Sequence, residues 1–274
     1  LRMAIGTGGI TGNRVKLGDL MRGSGQGVVV NSRNPYFKAG DLVAGPFGWQ
    51  EYAVADGERP FQLEKISPRA GQPITANLHV MGASGATAYV GLYDIAKPKV
   101  GDVIVVSAAA GSVGALVCQM AKLSGCQVIG IAGNEKKCRW LRNDLGLSEV
   151  INYKTENVGE RLRAACPNGI DIYFDNVGGD ILDTALGQIA QGARIVLCGA
   201  TSQYEGDANW CGPSNYFNLV YKEATMQGFY IFSYAHRFKE AYRRLGDLIA
   251  NGELIYYEDV LEGVEQLPAA LMRV

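Results

Sequence analysis

The spacing of apolar positions divides the chain into two parts with different patterns. Over residues 1–92, short apolar runs alternate with glycine and with turn dipeptides such as Asn34-Pro35. The runs at 27–30 and 41–44 are typical of short β-strands joined by tight turns. This part of the chain is therefore predicted to form a compact, mostly β domain, followed by a helix over 85–95.

From Asp102 onward, apolar strands alternate regularly with amphipathic helices. Near-continuous apolar stretches such as VIVV at 103–106 are typical of strands that are buried on both faces of a parallel sheet. The alternation predicts a doubly wound α/β domain. We expect strands at 103–107, 127–132, about 150, 170–175, 193–198 and 225–232, and helices at 112–124, 135–143, 158–165, 181–189 and 238–251.

Composition narrows the class of function. The 274 residues are 47% hydrophobic and carry 26 basic and 27 acidic side chains, giving a net charge of −1. A chain of this kind buries a sizeable core but creates no broad field for nucleic acid or an anionic membrane, so any phosphate binding must be local. No apolar stretch reaches the roughly 20 residues that span a bilayer, and no secretory leader is recognisable. We expect a cytoplasmic protein without membrane or nucleic-acid partners.

The ligands that a zinc site needs are scarce. The only histidines are His79 and His236, and the six cysteines never form a CxxC pair. Zinc sites in proteins cluster Cys and His ligands, so we expect no metal here. The cysteines sit mostly inside apolar segments and are predicted to be small buried hydrophobic residues; they are Cys118, Cys126, Cys138, Cys166, Cys198 and Cys211.

The first strand of the α/β part leads into a glycine motif. Residues 108–114 read AAAGSVG, a GxGxxG variant with Ala109 at the first glycine position, between a predicted strand and a predicted helix. Gly111 would let the backbone approach a pyrophosphate, and Gly114 would let the helix pack on the strand. The series of strands and helices around it favours dinucleotide binding over a merely structural tight turn.

The end of the second strand distinguishes the two nicotinamide dinucleotides. NAD-binding domains place an Asp or Glu there to accept the adenosine ribose hydroxyls, whereas this chain has Gly133-Asn134. Lys136, Lys137 and Arg139 follow at once, which favours the 2′-phosphate of NADP. The alternative is that these three side chains form an ordinary solvated helix face.

The carboxyl ends of the later strands would line the cofactor crevice. The segments there are 152–154, 175–179 and 198–200, which include the glycine pair at 178–179, a single glycine at 199 and the amide side chain of Asn176. Each segment alone could equally be an ordinary turn, but their shared position at strand ends favours a role in binding.

These segments resemble the zinc-independent medium-chain dehydrogenase/reductase family, in the group that includes leukotriene B4 12-hydroxydehydrogenase (prostaglandin reductase), alkenal double-bond reductase and curcumin reductase. The resemblance covers nearly the whole chain. It implies a Rossmann NADP-binding domain over 93–251, a mostly β, GroES-like substrate domain built from 1–92 with 252–274, and a homodimer. Its motifs are MGASGATAYVGL (81–92), AAAGSVG (108–114), INYKT (151–155), YFDNVGG (173–179), CGATSQY (198–204) and GPSNYFNLVYKEATMQGF (212–229).

Matching positions imply which residues contact the cofactor. Gly111, Ser112, Val113 and Gly114 are implied at the pyrophosphate and Lys137 at the 2′-phosphate, with further contacts from Tyr153, Asn176, Cys198, Gly199, Ala200, Tyr204, Phe229, Tyr230 and Ile231. An N-terminal motif of the family and an asparagine near its C-terminus fall outside this chain. We therefore expect the native polypeptide to extend beyond both Leu1 and Val274.

The resemblance also implies the reaction. The group reduces the carbon–carbon double bond of α,β-unsaturated carbonyl compounds, with hydride delivered to the β carbon by NADPH. Tyr221 matches a tyrosine proposed to assist this chemistry; alternatively it is an aromatic side chain packed beneath the cofactor cleft. The other possible functions are a quinone oxidoreductase with the same fold, and a non-catalytic NADPH-binding sensor or stress protein.

Aromatic residues are candidates for a substrate pocket between the two predicted domains, although each could simply pack in the core or on the surface. We also expect the strand predicted at 225–232 to offer an edge for dimer pairing. The pocket candidates are Phe47, Trp49, Tyr204, Trp210, Tyr216 and Tyr234.

Overall fold

A computed structural model of the chain describes residues 15–56, 63–67, 72–203 and 212–273. The chain divides into two compact units. One comprises the described residues up to Leu78 together with those from Tyr257 onward, and the other runs from His79 to Tyr256. The sequence-based division into a substrate domain (1–92 with 252–274) and a cofactor domain (93–251) stays a prediction.

The first unit contains an antiparallel sheet of three short strands in the order β1-β2-β3. The strands are β1 (Gly25–Val28), β2 (Leu42–Gly45) and β3 (Glu64–Lys65). Short 3₁₀ helices span Ile74–Leu78 and Val264–Gln266, and an α-helix spans Leu267–Arg273. The Thr75 hydroxyl donates to Glu258 Oε2 at 2.7 Å, which ties together the two chain segments of this unit.

The second unit is built on a six-stranded sheet in which every neighbouring pair is parallel. Its strand order is β6-β5-β4-β7-β8-β9, so the winding direction reverses between β4 and β7. In open α/β sheets, ligands bind outside the carboxyl ends of the strands at such a switch point. The strands are β4 (Val103–Val106), β5 (Gln127–Ala132), β6 (Glu149–Asn152), β7 (Ile170–Asp175), β8 (Ile189–Leu197) and β9 (Thr225–Gly228).

Helices connect these strands and the core lies between them and the sheet. Fully buried side chains from the central strands, among them Ile104, Ile129 and Tyr173, fill that core, as their apolar runs predict. The predicted doubly wound fold is confirmed. The α-helices are α1 (Ala83–Val90), α2 (Ser112–Leu123), α3 (Glu135–Asn143), α4 (Val158–Ala165), α5 (Gly179–Leu186), α6 (Asn218–Tyr221) and α7 (Phe238–Ala250), with 3₁₀ helices at Thr201–Gln203, Ser214–Phe217 and Ile231–Arg237.

Several predicted elements are wrong in part. The strand expected over 193–198 already begins at Ile189, and the run expected at 27–30 forms a strand over Gly25–Val28. The helix expected over 85–95 is α-helical only to Val90 and continues as a π-helix over Gly91–Ala96. The helix expected over 181–189 stops at Leu186, because Ile189 already pairs with Ile170 in the sheet. The strand expected over 225–232 ends at Gly228.

The early end of β9 has a simple cause. Gly228 pairs with Leu197, which is the last residue of β8, so the neighbouring strand offers no further ladder partner. Phe229 and Tyr230 therefore follow the strand, and a 3₁₀ helix begins at Ile231. Within the described part of the chain, no helix is both long and apolar enough to cross a bilayer.

Candidate functional site

The turn after β4 brings backbone amides to the start of α2. Ala108 takes a left-handed conformation (φ 47°), and the amide of Ala109 donates to the carbonyl of Ile131 at the end of β5. A Cβ placed on Gly114 would lie 2.4 Å from the Ala108 carbonyl oxygen, and one on Gly111 would lie 3.1 Å from it. The close turn therefore requires glycine at 114, and glycine at 111 avoids a tight contact with the same carbonyl oxygen.

This turn leaves an anion-binding helix terminus accessible. Gly111 and Ser112 are exposed and Val113 is partly exposed, while Gly114 is buried against the strand. The first amides of a helix lack intrahelical partners and carry partial positive charge, which suits a pyrophosphate. The local geometry of 111–114 fits the role that the sequence predicts for it.

The two residues after β5, Gly133 and Asn134, carry no acid, and cationic side chains follow on α3, whose first residue is Glu135. Asn134 caps α3, its Oδ1 accepting the Lys137 amide at 2.8 Å. Lys136, Lys137 and Arg139 are exposed on the first turns of α3. Among the residues that the structure describes, no carboxylate forms an ion pair with any of the three. The three cations are free to meet an incoming phosphate.

Tyr153 lies at the end of the neighbouring strand, β6. Its amide donates to the Ala132 carbonyl at 3.1 Å, and its ring packs over Gly133. The side chain remains 45% exposed. The structure thus brings Tyr153 and the first turn of α3 to one corner of the sheet, as expected of residues that share a ligand.

At the switch point, side chains of β4 and β7 form a buried hydrogen-bond network. The Ser107 hydroxyl donates to Asp175 Oδ1 at 2.9 Å and accepts the Asn176 amide at 2.8 Å. Asn176 Nδ2 donates to the Ser107 carbonyl at 2.7 Å, and the Tyr173 hydroxyl donates to Asp175 Oδ1 at 3.2 Å. The network fixes the orientation of the Asn176 side chain.

Asp175 also holds the start of α5. Its carboxylate accepts the amides of Val177 and Gly178 at 3.0–3.1 Å. Burial raises the pKa of the Asp175 carboxyl, and these amides, together with the Ser107 and Tyr173 hydroxyls, oppose the rise by stabilising the charged form. The carboxylate therefore connects β4, β7 and the start of α5 by hydrogen bonds at the carboxyl end of β7.

The loop after β8 is attached to the main chain at the end of β7. The amides of Cys198 and Gly199 both donate to the Asp175 carbonyl, and the Thr201 amide donates to the Asn176 carbonyl. Ala200 lies against Gly178: a Cβ added to Gly178 would be 3.3 Å from the Cβ of Ala200. Burial, with the nearby Asp175 charge, raises the pKa of the Cys198 thiol to about 12. These contacts bring Asn176 and residues 198–200 together, and their contact with a cofactor stays a prediction.

The remaining predicted cofactor contacts have different surroundings. Phe229 is half-buried, with its ring edge-on to that of Tyr234 at 6.2 Å, and Tyr230 is exposed. Ile231 begins a 3₁₀ helix rather than continuing a strand. Tyr204 lies outside the described residues.

Tyr221 ends the short helix α6. Its ring stands edge-on to that of Phe217 with 5.1 Å between centroids, and the side chain is 72% exposed. Within the described part of the chain, its hydroxyl has no hydrogen-bond partner. Among the described residues, none buries the Tyr221 ring beneath a cleft, and its catalytic role stays a prediction.

The candidate pocket aromatics lie in both units. Phe47 and Trp49 pack beside glycines of the first unit, with a Cβ on Gly25 or Gly23 falling 3.3 or 3.1 Å from their side chains. Tyr216 and Tyr234 belong to the second unit and each contacts another aromatic ring. Trp210 lies outside the described residues, so the pocket stays a prediction.

Sequence reasoning missed Ser107 and Tyr173, the partners of Asp175. A weak signal was available, because Ser107 and Asp175 both close apolar strands and parallel strands end at the same edge of a sheet. Among the described residues, no group of three or more His, Cys, Asp or Glu side chains could hold a metal ion. The expectation of no zinc stays a prediction.

Comparison with known proteins gives the family. Residues 112–248 match the model of the zinc-binding dehydrogenases, and residues 2–63 match that of an N-terminal domain of oxidoreductases. The chain is 39% identical to prostaglandin reductase 1 of Bos taurus over 96% of this chain and 80% of that protein. It is also 39% identical to the NADP(+)-dependent 2-alkenal reductase of Nicotiana tabacum, over 93% of this chain and 74% of that one.

A solved structure supports the same assignment. CurA from Vibrio vulnificus in complex with NADPH is 40% identical, with a TM-score of 0.87 over 95% of this chain and 77% of that chain. Identity of about 40% over nearly the whole chain shows membership of the same protein family, and not only the same fold. The chain belongs to the medium-chain dehydrogenase/reductase family, in its group of prostaglandin and 2-alkenal reductases.

Proposed function

We propose that this chain is an NADP-dependent oxidoreductase that uses NADPH to reduce the carbon–carbon double bond of α,β-unsaturated aldehydes and ketones. The observation that carries the proposal is the pairing of two features at adjacent strand ends. One is the glycine turn at the N-terminus of α2. The other is the pair Gly133-Asn134 after β5, which carries no acid and is followed on α3 by three cations that form no ion pair with any described residue. The named activities of prostaglandin reductase 1 and 2-alkenal reductase support the substrate class.

The residues present fit a bound NADPH. Amides of 111–114 would hold the pyrophosphate, because Gly114 lets the helix approach the preceding turn closely and Gly111 leaves the backbone there without a side chain. Lys137 and Tyr153 would hold the 2′-phosphate, with Lys136 and Arg139 adding charge nearby. Asn176 and the loop 198–200 would border the nicotinamide at the switch point. When bound, NADPH supplies the hydride that the reaction consumes.

The chain's own task is to bind and polarise the acceptor. As hydride reaches the β carbon, negative charge builds on the carbonyl oxygen, and hydrogen-bond donors aimed at that oxygen lower the barrier. We assign one such donor to the hydroxyl of Tyr221. A proton from solvent at the α carbon then completes the saturated product. The reaction needs no zinc on this account, since the only histidines are His79 and His236 and no CxxC pair occurs.

A steady-state assay tests this function. NADPH oxidation would be followed with 2-alkenals, enones, quinones and simple ketones as acceptors, with and without a strong chelator. We expect turnover of enals and enones that the chelator leaves unchanged. Faster turnover of a benzoquinone than of a 2-alkenal would favour a quinone oxidoreductase, and NADPH binding without oxidation by any acceptor would favour a sensor or stress protein.

We further propose a cytoplasmic homodimer. The five cysteines within the described residues are free thiols, which suits a reducing compartment. Among the described residues β9 has one partner strand, β8, so its other edge is available for pairing with a second copy. Light scattering after size exclusion would give about twice the mass of one chain; a monomeric mass would contradict the dimer.

A further inference from the structure

Gly133 and Tyr153 are in unusually close contact at the carboxyl ends of two neighbouring strands. The ladder between β5 and β6 closes at Ala132 and Asn152, so the next residue of each strand emerges at the same corner. A Cβ built on Gly133 would lie 2.7 Å from Cε1, 2.8 Å from the hydroxyl oxygen and 2.9 Å from Cζ of Tyr153. The ring thus occupies the space that any other side chain at 133 would need.

The backbone does not explain the glycine. The φ angle of Gly133 is not positive, so an alanine could adopt the same backbone conformation without strain. What alanine could not do is leave the Tyr153 ring in place. The contact atoms belong to the far end of a side chain that is 45% exposed, so the ring can swing away without disturbing the core.

This corner is where the choice between NAD and NADP is made. NAD-binding domains carry an acid at the end of the second strand that accepts the ribose hydroxyls, and in this chain that position is Gly133. The first turn of α3, with Lys137, begins two residues further on. Any side chain at 133, an acid included, would displace the ring. With glycine there, the ring places its phenol hydroxyl beside the proposed phosphate site.

We infer that Gly133 is a specificity-determining residue that acts through Tyr153: it seats the tyrosine ring so that the hydroxyl donates to the 2′-phosphate of NADPH. Gly133 is a positioning residue on this account and makes no contact with the phosphate itself. The inference rests on the proposed NADPH function and adds the reason why a glycine, and no other residue, stands at this strand end.

The test is a binding titration of the whole chain with NADPH and with NADH, followed by quenching of protein fluorescence. The variants are Gly133→Ala, Tyr153→Phe and the double variant. We expect each single substitution to weaken NADPH binding about tenfold, as for one hydrogen bond to a charged group, and to leave NADH binding unchanged. The double variant should be no weaker than either single one, because both remove the same contact.

Two controls separate this effect from general damage. Gly27→Ala adds a methyl group where no atom lies within 4 Å, so neither nucleotide should bind differently. Thermal unfolding should show that Gly133→Ala keeps the melting temperature of the parent chain. An unchanged NADPH/NADH ratio in Gly133→Ala, equal weakening of both nucleotides, or additive single effects would each overturn the inference.

Lys137→Ala distinguishes failure of the inference from failure of the proposed function. Weaker NADPH binding in Lys137→Ala, with none in Gly133→Ala, would reject the role of Gly133 and keep the cofactor site. A parent chain that binds NADH as tightly as NADPH would reject both.

Discussion

The two ends of the proposed cofactor site are built in opposite ways. At the switch point, the side chains of Ser107, Asp175 and Asn176 are buried and hydrogen-bonded to one another. At the corner of β5 and β6, Lys137 and Tyr153 are exposed, and Lys137 forms no ion pair among the described residues. The polar groups at the switch point already have partners within the protein, whereas those at the corner of β5 and β6 would gain theirs from the ligand.

The difference teaches which property each end controls. Internal hydrogen bonds connect the switch-point loops, so damage there should reduce the stability of the fold and the binding of every nucleotide. Exposed cations add little to stability but interact strongly with a phosphate, so damage at the corner should change selectivity alone. Four predictions sharpen this contrast, from the largest expected effect to the smallest.

The first concerns the reactivity of Cys198. Its pKa is raised to about 12 from 9.0, so at pH 8 the folded chain holds roughly a thousandfold less thiolate at this position than an ordinary cysteine. We expect iodoacetamide to label Cys198 about a thousandfold more slowly in the folded chain than in urea, as measured by mass spectrometry. Equal rates in the two states would show that the switch point is open.

The second is removal of the buried carboxylate. Asp175→Ala leaves the Ser107 and Tyr173 hydroxyls and the Val177 amide without their acceptor, and we expect a loss of about 3 kcal/mol or more in the free energy of unfolding. Urea denaturation measures it. Asp180→Ala is the matched control, since Asp180 is exposed on α5 and its removal should cost less than about 1 kcal/mol. Similar losses for the two variants would refute the role of the network.

The third removes a cation from the other end. Lys137→Ala should weaken NADPH binding about tenfold at low salt, leave NADH binding and the melting temperature unchanged, and lessen the dependence of NADPH binding on salt. Lys239→Ala, an exposed lysine on α7, is the control. Loss of NADH binding as well would mean that Lys137 has a structural role.

The fourth uses the raised pKa of Asp175. Because the folded state holds this proton more tightly than the unfolded state, the contribution of Asp175 to stability increases as pH falls through the folded pKa toward 3.8. We expect the stability difference between the parent chain and Asp175→Asn to move in favour of the parent over this window, by at most about 1.4 kcal/mol per pH unit. A shift in the opposite direction would contradict the assigned sign.

Local patterns predicted the parts of the site that depend on local geometry. The turn at 108–114 involves residues within a few positions of one another, and it lies where the sequence predicts it, between β4 and α2. The strands of the α/β unit were likewise predictable from continuous apolar runs. Their ends were harder, since Gly228 ends β9 only because β8 ends at Leu197.

Contacts between distant residues were beyond the reach of sequence patterns. Ser107 and Asp175 are separated by 68 positions, and the register between β4 and β7 is what brings them together. The packing of Tyr153 on Gly133 depends in the same way on the pairing of β5 with β6. The exposure of the Tyr221 ring is a third case, because it depends on which distant residues pack around α6, and the sequence of α6 alone does not determine them.

The most direct test of the central claim is the fate of the hydride in a single reaction. The chain would be incubated with a 2-alkenal and NADPH carrying deuterium at the transferable position, and the product analysed by NMR. We predict a saturated aldehyde with deuterium on the β carbon. An allylic alcohol with deuterium on the former carbonyl carbon, or no product at all, would contradict double-bond reduction.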